Sequence, residues 1–229
     1  QLDYPDIAQV YEIGVSIEGL PVMALKISSS PDFNHPDKTE VVFVSLHHAK
    51  EWPTIEFAIA LAEELTENYS TDPEIFSMVN DSEIWIIPVL NPDGYIFSYN
   101  ENGIGAVSWR KNRRPNYGGS YNTPCNNNED CENTMECSPN NVCVYYGVDL
   151  NRNYSYRWTN GFDSPSVDTY AGTAAFSEPE TTALRNLIGD LTLPAEDNLR
   201  LIDNADGLIS YHTHGSQILY PYSYDVVQP

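Results

Sequence analysis

The sequence predicts an α/β fold, because apolar strand-like runs alternate along the chain with helical segments. A continuous apolar run at Val41–Leu46 is typical of a strand covered on both faces, and a helical pattern begins soon afterwards at Pro53. Further apolar strands are indicated at Ile84–Leu90 and Gly207–His212. Polar motifs gather where these strands end, which is the edge of an open α/β sheet where ligands bind.

A hairpin is predicted near the start of the chain. Two β-rich runs, Val10–Ser16 and Pro21–Ser28, flank Glu18-Gly19-Leu20, which has the composition of a tight turn. The helix that begins at Pro53 has one apolar stripe at helical spacing, which predicts the face that packs on the sheet. The stripe consists of Ile55, Ala58, Ile59, Ala62 and Leu65.

The second half of the chain has fewer regular signals. We interpret Asn91-Pro92-Asp93-Gly94 as the turn that ends the strand before it. Little periodicity is visible from residue 99 to about residue 146. Ser177 and Glu180 have the spacing of a capping box, which predicts a helix that runs to about residue 189.

Composition indicates one folded, acidic domain spanning residues 1–229. The chain has 33 Asp and Glu against 11 Lys and Arg, a formal net charge of −22, yet 41% of its residues are hydrophobic and 12% aromatic. That apolar content excludes overall disorder. Cations are too scarce for nucleic acid or an anionic membrane to be a partner. No apolar run approaches the roughly 20 residues of a transmembrane helix, and Gln1 does not begin a signal peptide.

Four cysteines lie in one Asn-, Glu- and Pro-rich stretch, at Cys125, Cys131, Cys137 and Cys143. The CxxC pairs of a structural zinc site are absent, so we expect two local disulfides, for which three pairings can be drawn. Disulfides indicate an oxidising compartment, and we therefore expect a secreted protein. Its acidic surface also makes Ca²⁺ a candidate ligand.

Histidines at the ends of predicted strands point to a metal site. His48 and Glu51 are three residues apart in the loop that leaves a buried strand, and both are zinc-type ligands. A third ligand from His212 or His214 would complete a shell of two histidines and one carboxylate, with a position left for water. His47 and Glu51 form a competing pair, and an isolated HxxE is more often an ordinary solvated loop.

The few cations are concentrated in two segments, which suggests an anion site. These segments are Trp109–Arg114 and Asn151–Asn153. An arginine beside an asparagine can hold a carboxylate through a bidentate pair and an amide hydrogen bond. The alternative is that these cations only balance neighbouring acids.

Six segments together resemble the successive motifs of zinc metallocarboxypeptidases of the carboxypeptidase A and T type, and they occur in the order of that family. They are His48–Trp52, Asn91–Tyr95, Trp109–Arg113, Gly147–Asn153, Phe176–Glu180 and Ser210–Thr213. The resemblance spans nearly the whole chain. It implies a mixed, mostly parallel twisted sheet flanked by helices, an αβα sandwich that is incomplete at its C-terminal side.

The resemblance also implies roles for particular residues. It makes His48, Glu51 and His212 the ligands of one Zn²⁺, in preference to His47 and His214. Asp149 matches the carboxylate that orients the first zinc-bound histidine. The substrate-binding residues that match are Asn151 and Arg152, for the free C-terminal carboxylate of a peptide, and Arg110, for the scissile carbonyl.

The activity implied is hydrolysis of the C-terminal peptide bond of peptides and proteins by a monomeric enzyme. The general-base glutamate and the closing tyrosine of the family lie well after the third zinc ligand, and only 15 residues follow His214, none of which matches either one. We therefore expect further polypeptide to complete the domain. The alternatives are a deacylase or cell-wall peptide hydrolase, or a catalytically silent module that binds peptide C-termini or calcium.

The cysteine-containing stretch is an insertion of about residues 116–146 between the Arg110 and Asp149 motifs. The typical family member has a shorter connection there, so we expect the insertion near the mouth of the cleft. One hypothesis is that it gates substrate access. The other is that it is a disulfide-stapled surface insertion with no role in catalysis.

Overall fold

A five-stranded sheet forms the centre of the molecule. The computed structural model describes residues 3–99, 108–117, 123–131, 135–156, 158, 164–189 and 205–219. The strands are β1 (Ala8–Val15), β2 (Pro21–Ile27), β3 (Thr39–Val44), β4 (Ser82–Ile87), β5 (Pro115–Asn116), β6 (Met135–Cys137), β7 (Cys143–Tyr146) and β8 (Gly207–Ser210). The helices are α1 (Pro53–Glu67), α2 (Pro73–Asp81), α3 (Pro92–Tyr99) and α4 (Pro179–Ile188).

The large sheet has the strand order β1-β2-β4-β3-β8. β3 pairs in parallel with both β4 and β8, while β2 pairs antiparallel with β1 and β4. All of its strands except β2 therefore run in one direction, which confirms the mixed, mostly parallel sheet. The predicted hairpin is β1 and β2, joined through the turn at Gly19.

Helices cover both faces of this sheet. Neighbouring residues of a strand point to opposite faces, so each strand packs against helices on both sides. Val42 and Val44 of β3 pack in a cluster with residues of α4. Ile84 and Ile86 of β4 pack in a second cluster with residues of α1 and α2. The continuous apolar character of these strands follows from this two-sided burial.

Two helix starts differ from their predictions. Pro92 begins α3, and the carboxamide of Asn91 accepts a hydrogen bond from the Gly94 amide at 3.0 Å, so the expected turn is the N-terminus of a helix. The predicted capping box is wrong, since α4 has no side-chain cap. Ser177 Oγ instead donates to the neighbouring Glu178 at 2.8 Å, and the side chain of Glu180 is buried.

The helical prediction from the sequence was incomplete in two places. α2 was not predicted, although Asp72 caps it by accepting hydrogen bonds from the amides of Glu74 and Ile75. In α1, Ala58 and Leu65 of the expected stripe are buried, whereas Ile59 is 42% exposed. The stripe is therefore narrower than predicted.

The insertion contains a small sheet of its own, with the order β5-β7-β6. Its four cysteines form the disulfides Cys125–Cys137 and Cys131–Cys143, which confirms two local bridges and selects one of the three pairings. Residues 118–122 and 132–134 of the insertion lie outside the described residues. Within the described residues, none of the helices is long and apolar enough to cross a membrane.

Candidate metal centre and adjoining anion site

Two adjacent parallel strands bring the candidate metal ligands together. His48 lies shortly after the end of β3, and His212 lies two residues after the end of β8. The Tyr211 amide donates to the Val44 carbonyl at 2.9 Å, which extends the strand pairing to the residue before His212. The ends of parallel strands meet at one edge of a sheet, so both imidazoles are delivered to the same place.

The loop after β3 is shaped by a left-handed residue. Leu46 has φ 55°, a conformation that is strained for a bulky side chain by about 1–3 kcal/mol. Thr54 at the start of α1 stabilises this bend, since its hydroxyl accepts from the Leu46 amide at 3.1 Å and donates to the Glu51 carbonyl at 2.8 Å. The bend turns the chain so that His48 and Glu51 face each other.

Three side chains converge on one point. His48 Nδ1 lies 3.1 Å from Glu51 Oε1, and His212 Nδ1 lies 2.9 Å from Glu51 Oε2. The two Nδ1 atoms are 3.2 Å apart. Potential ligand atoms of all three residues lie within 4.8 Å of one another. Two imidazole nitrogens and a carboxylate are the donor set of a hydrolytic zinc site, so these residues fit Zn²⁺.

The charges in the cluster favour an ionised carboxylate. Burial raises the pKa of Glu51, but the hydrogen bonds from His212 and His48 outweigh burial and hold that pKa below its ordinary value. Burial lowers the pKa of His48, but its hydrogen bonds to Asp149 and Glu51 raise the pKa overall. A metal cation at this position would also favour the ionised form of the carboxylate.

Asp149 joins the metal cluster to Arg110. Its Oδ1 lies 3.2 Å from His48 Nε2, and its Oδ2 accepts from Arg110 Nε at 2.8 Å. The carboxylate is completely buried. Burial alone raises its pKa, but the hydrogen bond from His48 and the charge of Arg110 lower it below the ordinary value.

Backbone hydrogen bonds hold the Arg110 segment in place. The Arg110 carbonyl accepts from the Ala49 amide at 3.1 Å, beside His48. Two residues later, the Asn112 amide donates to the Val148 carbonyl at 3.0 Å, beside Asp149. The three parts of the site are therefore connected through the main chain as well as through side chains.

Asn151 and Arg152 follow Asp149 in a short 3₁₀ turn. Asn151 Nδ2 lies 3.3 Å from His212 Nε2, so the asparagine borders the metal cluster directly. Arg152 is exposed, and its Nη1 donates to the Asn151 carbonyl at 2.8 Å. The structure thus places the predicted anion-binding asparagine next to the predicted metal ligands.

Comparison with known proteins decides the family. The family model for zinc carboxypeptidases matches residues 1–229. The chain belongs to the zinc carboxypeptidase family. It is 30% identical to carboxypeptidase B of Helicoverpa zea over 228 residues, which is 97% of this chain and 43% of the relative.

Solved structures place this family member in the same fold. Carboxypeptidase A from Helicoverpa armigera superimposes with a TM-score of 0.73 and 30% identity, and the match covers 100% of this chain and 46% of that one.

An inactive metallocarboxypeptidase of Talaromyces marneffei is 26% identical over 96% of this chain and 32% of its own length. The chain therefore spans less than half the length of these relatives.

The competing histidines, His47 and His214, are not part of the group of potential metal ligands. His47 is buried, with Nε2 2.6 Å from the Tyr154 hydroxyl and Nδ1 3.1 Å from Ser210 Oγ. Burial and the neighbouring His212 lower its pKa to about 3, so the ring is neutral. His214 is exposed and is not part of the group of potential ligands.

Three buried asparagines form the scaffold of the site, a role that the sequence did not reveal. Asn91 Nδ2 lies 3.2 Å from each of the carbonyls of His47 and Lys111. Asn112 accepts from the Val148 amide at 2.8 Å, and Asn153 donates to the carbonyls of Ala171 and Ala174. All three lie in segments that carry the family resemblance, Asn91–Tyr95, Trp109–Arg113 and Gly147–Asn153, but the sequence does not indicate their scaffold role.

A second group of potential ligands within the described residues is not a metal site. It consists of Cys125, Cys131 and Cys143, whose sulfurs are all in disulfides and are not thiolates. Among the described residues, acidic side chains do not form a group of three or more potential ligands apart from Glu51 with its histidines. The expectation of Ca²⁺ therefore gains no support.

Proposed function

We propose that the protein is a zinc-dependent exopeptidase that hydrolyses the C-terminal peptide bond of peptides and proteins. The observation that carries this proposal is the convergence of His48 Nδ1, Glu51 and His212 Nδ1 beside Asn151. These three residues would hold Zn²⁺. When bound, zinc supplies a Lewis acid and lowers the pKa of a water ligand from 15.7 to about 7.

The chain's own residues orient the reacting groups. Asp149 fixes the His48 ring by accepting from Nε2, which leaves the lone pair of Nδ1 for the metal. Through Oδ2 the same carboxylate holds Arg110 by its Nε. The guanidinium of Arg110 stabilises the negative charge that develops on the scissile carbonyl oxygen.

Asn151 and Arg152 provide the selection for a chain end. A guanidinium and a carboxamide bind a carboxylate through charge-assisted hydrogen bonds. An internal peptide bond has no such carboxylate and cannot form these hydrogen bonds. The substrates are therefore peptides and proteins with a free C-terminus.

The two disulfides support a secreted enzyme, because such bonds persist in oxidising compartments. We propose an extracellular monomer that acts on peptides and does not bind nucleic acid or membranes. The strongly negative net charge of −22 is consistent with the last two exclusions.

Peptide pairs that differ only at the C-terminus test the proposal. The purified, zinc-loaded full-length protein should hydrolyse a peptide with a free carboxylate and leave its C-terminal amide intact. Arg152→Ala should raise KM and lower kcat/KM on the free acid while zinc stays bound. Arg152→Lys, which retains the charge, should fall between, and Arg185→Ala on α4 should match wild type. Cleavage of the amide and the acid at equal rates would refute selection by the carboxylate.

A second candidate is a catalytically silent module that binds peptide C-termini. It is favoured by one observation, namely that a relative covering 96% of this chain is named an inactive metallocarboxypeptidase. Equilibrium binding of the free acid, without turnover by the zinc-loaded protein, would support this function over the enzyme.

A further inference from the structure

We propose that His47, Ser210 and Tyr154 form a hydrogen-bonded relay that sets the tautomer of His212 and thereby strengthens its binding to zinc. This inference rests on the proposed zinc site but concerns residues that are not ligands. Ser210 Oγ lies 3.1 Å from His212 Nε2 and 3.1 Å from His47 Nδ1. The other nitrogen of His47, Nε2, lies 2.6 Å from the Tyr154 hydroxyl.

When His212 uses Nδ1 as a ligand, the hydrogen bonds of the relay can all run in one direction. Its Nε2 then carries the proton and donates to Ser210 Oγ. The hydroxyl of Ser210 is left to donate to His47 Nδ1. The proton of His47 is then on Nε2, where it donates to the Tyr154 oxygen. Along this direction His212, Ser210 and His47 each donate once, and Ser210, His47 and Tyr154 each accept once.

The fold fixes the members of the relay independently of the metal. Ser210 is the last residue of β8 and His47 follows β3, the strand paired with β8. The His47 carbonyl accepts from Asn91 Nδ2 at 3.2 Å, and its ring is only slightly exposed. The ring of Tyr154 contacts that of His47 with centroids 5.8 Å apart. A pre-positioned relay of this kind orients His212 before zinc arrives.

The hydrogen bond from Ser210 to His212 has a counterpart at His48, the other candidate histidine ligand. His48 has a carboxylate, Asp149, behind its Nε2. His212 has a neutral hydroxyl there, backed by a buried imidazole and a phenol. Groups behind a metal-bound histidine typically change metal affinity by 10–100-fold when removed. The relay is the source of that contribution at His212.

The carboxamide of Asn151 also approaches Nε2 of His212, at 3.3 Å from Nδ2. Two donors face each other there when Nε2 carries a proton. A rotation of the carboxamide by 180° presents Oδ1 as a second acceptor and removes the conflict. Asn151 is therefore compatible with the relay direction.

Zinc affinity of single variants tests the relay. Ser210→Ala should raise the zinc Kd, measured by competition with a chromogenic chelator, by 10–100-fold. Tyr154→Phe should raise it by a smaller factor, because it removes only the last acceptor. Ser210→Thr retains the hydroxyl and should stay within about threefold of wild type. Thr213→Ala removes an exposed hydroxyl next to His212 and is the matched control.

A spectroscopic readout separates the relay from simple packing. In ¹H–¹⁵N spectra of the zinc-loaded protein, His212 and His47 should both carry the proton on Nε2. Ser210→Ala should convert His47 to a mixture of tautomers while the thermal midpoint shows that the protein remains folded.

The outcomes separate this inference from the proposed function. Zinc binding by wild type with unchanged affinity in Ser210→Ala overturns the relay alone. Failure of wild type to bind zinc overturns both. A third outcome is that Ser210→Ala weakens zinc binding but the wild-type protein does not cleave peptides. That result would support the relay and contradict the proposed peptidase activity.

Discussion

Asp149 Oδ1 lies 3.2 Å from His48 Nε2, on the opposite edge of the ring from the Nδ1 atom that faces Glu51. A carboxylate in this position keeps the proton on Nε2 and leaves the Nδ1 lone pair for a metal. The same carboxylate holds Arg110 at 2.8 Å. One buried side chain thus connects the group that would bind zinc to the group that would stabilise the substrate carbonyl.

Asp149→Asn should therefore weaken both functions. The neutral side chain has one acceptor oxygen in place of two, so it cannot serve His48 and Arg110 equally. We expect the zinc Kd to rise 10–100-fold in chelator competition. Asp168→Asn, which changes an exposed acid on a nearby loop, should leave the zinc Kd within twofold of wild type.

A buried ion pair connects β2 and β4 of the large sheet. Lys26 Nζ lies 2.8 Å from Glu83 Oε2, and both side chains are almost fully buried. Glu83→Gln should lower the free energy of unfolding by about 3 kcal/mol, because it leaves a buried ammonium without its counter-charge. Urea denaturation measures the change.

A double variant that replaces both residues of the pair by apolar residues is the comparison for Glu83→Gln. Lys26→Met with Glu83→Leu should recover most of the loss, since no charge remains to be desolvated. Exposed Glu12→Gln should match wild type. A loss below about 1 kcal/mol for Glu83→Gln alone would show that Lys26 is solvated in the folded state.

The pH dependence of stability should report on Glu180. Burial, together with the neighbouring Glu178, raises the pKa of Glu180 to about 7 from an ordinary value of 4.5. Between these two values the folded state binds more protons than the unfolded state, so stability falls as pH rises. The decrease attributable to this group is about 3 kcal/mol in total.

Glu180→Gln should remove that part of the pH dependence. The free energy of unfolding from urea titrations at pH 5, 6 and 7 should fall less steeply in the variant than in wild type. Glu67→Gln, at an exposed position near the end of α1, should retain the wild-type slope. Identical slopes for Glu180→Gln and wild type would mean that Glu180 is ionised throughout this range.

The insertion is attached to the core by an arginine packed between aromatic rings. Arg113 forms a bidentate pair with Glu136 of β6 at 2.9 and 2.7 Å. Its guanidinium carbon lies 3.7 Å from the centroid of Phe97 and 4.4 Å from that of Tyr146. The pair links the insertion to the segment that also carries Arg110.

Glu136→Ala should destabilise the protein by about 1–3 kcal/mol, because a mostly buried guanidinium loses its charged partner. Differential scanning calorimetry with intact disulfides measures this as a lower unfolding midpoint. Glu129→Ala, an exposed acid in the same insertion, is the control. An unchanged midpoint for Glu136→Ala would mean that the Arg113–Glu136 pair does not contribute to the attachment of the insertion.

The sequence predicted the fold class from strong local patterns, and the ligand cluster from such patterns together with the family resemblance. The apolar run that becomes β3 is typical of a strand covered on both faces. Residue type at strand ends indicated a site of histidines and a carboxylate but left His47 and His214 as alternatives, and only the family resemblance favoured His48, Glu51 and His212. The bend at Leu46 that turns His48 toward Glu51 has no such signal, since leucine rarely adopts positive φ.

Features fixed by tertiary contacts could not be predicted. Ser177 and Glu180 have the spacing of a capping box, but the N-cap residue of α4 is Glu178 and the side chain of Glu180 is buried beside Asn112. Ser210 and His47 are 163 residues apart, and only the pairing of β8 with β3 makes them neighbours. The disulfide pairing likewise required the geometry of the small sheet.

Zinc content tests the central claim most directly. After removal of metal with a chelator and dialysis against zinc, elemental analysis should give one zinc per chain for wild type. Glu51→Ala should bind none under the same conditions, while Arg152→Ala should still bind one. Absence of zinc from wild type, or full retention by Glu51→Ala, would contradict the assignment of His48, Glu51 and His212 as the metal site.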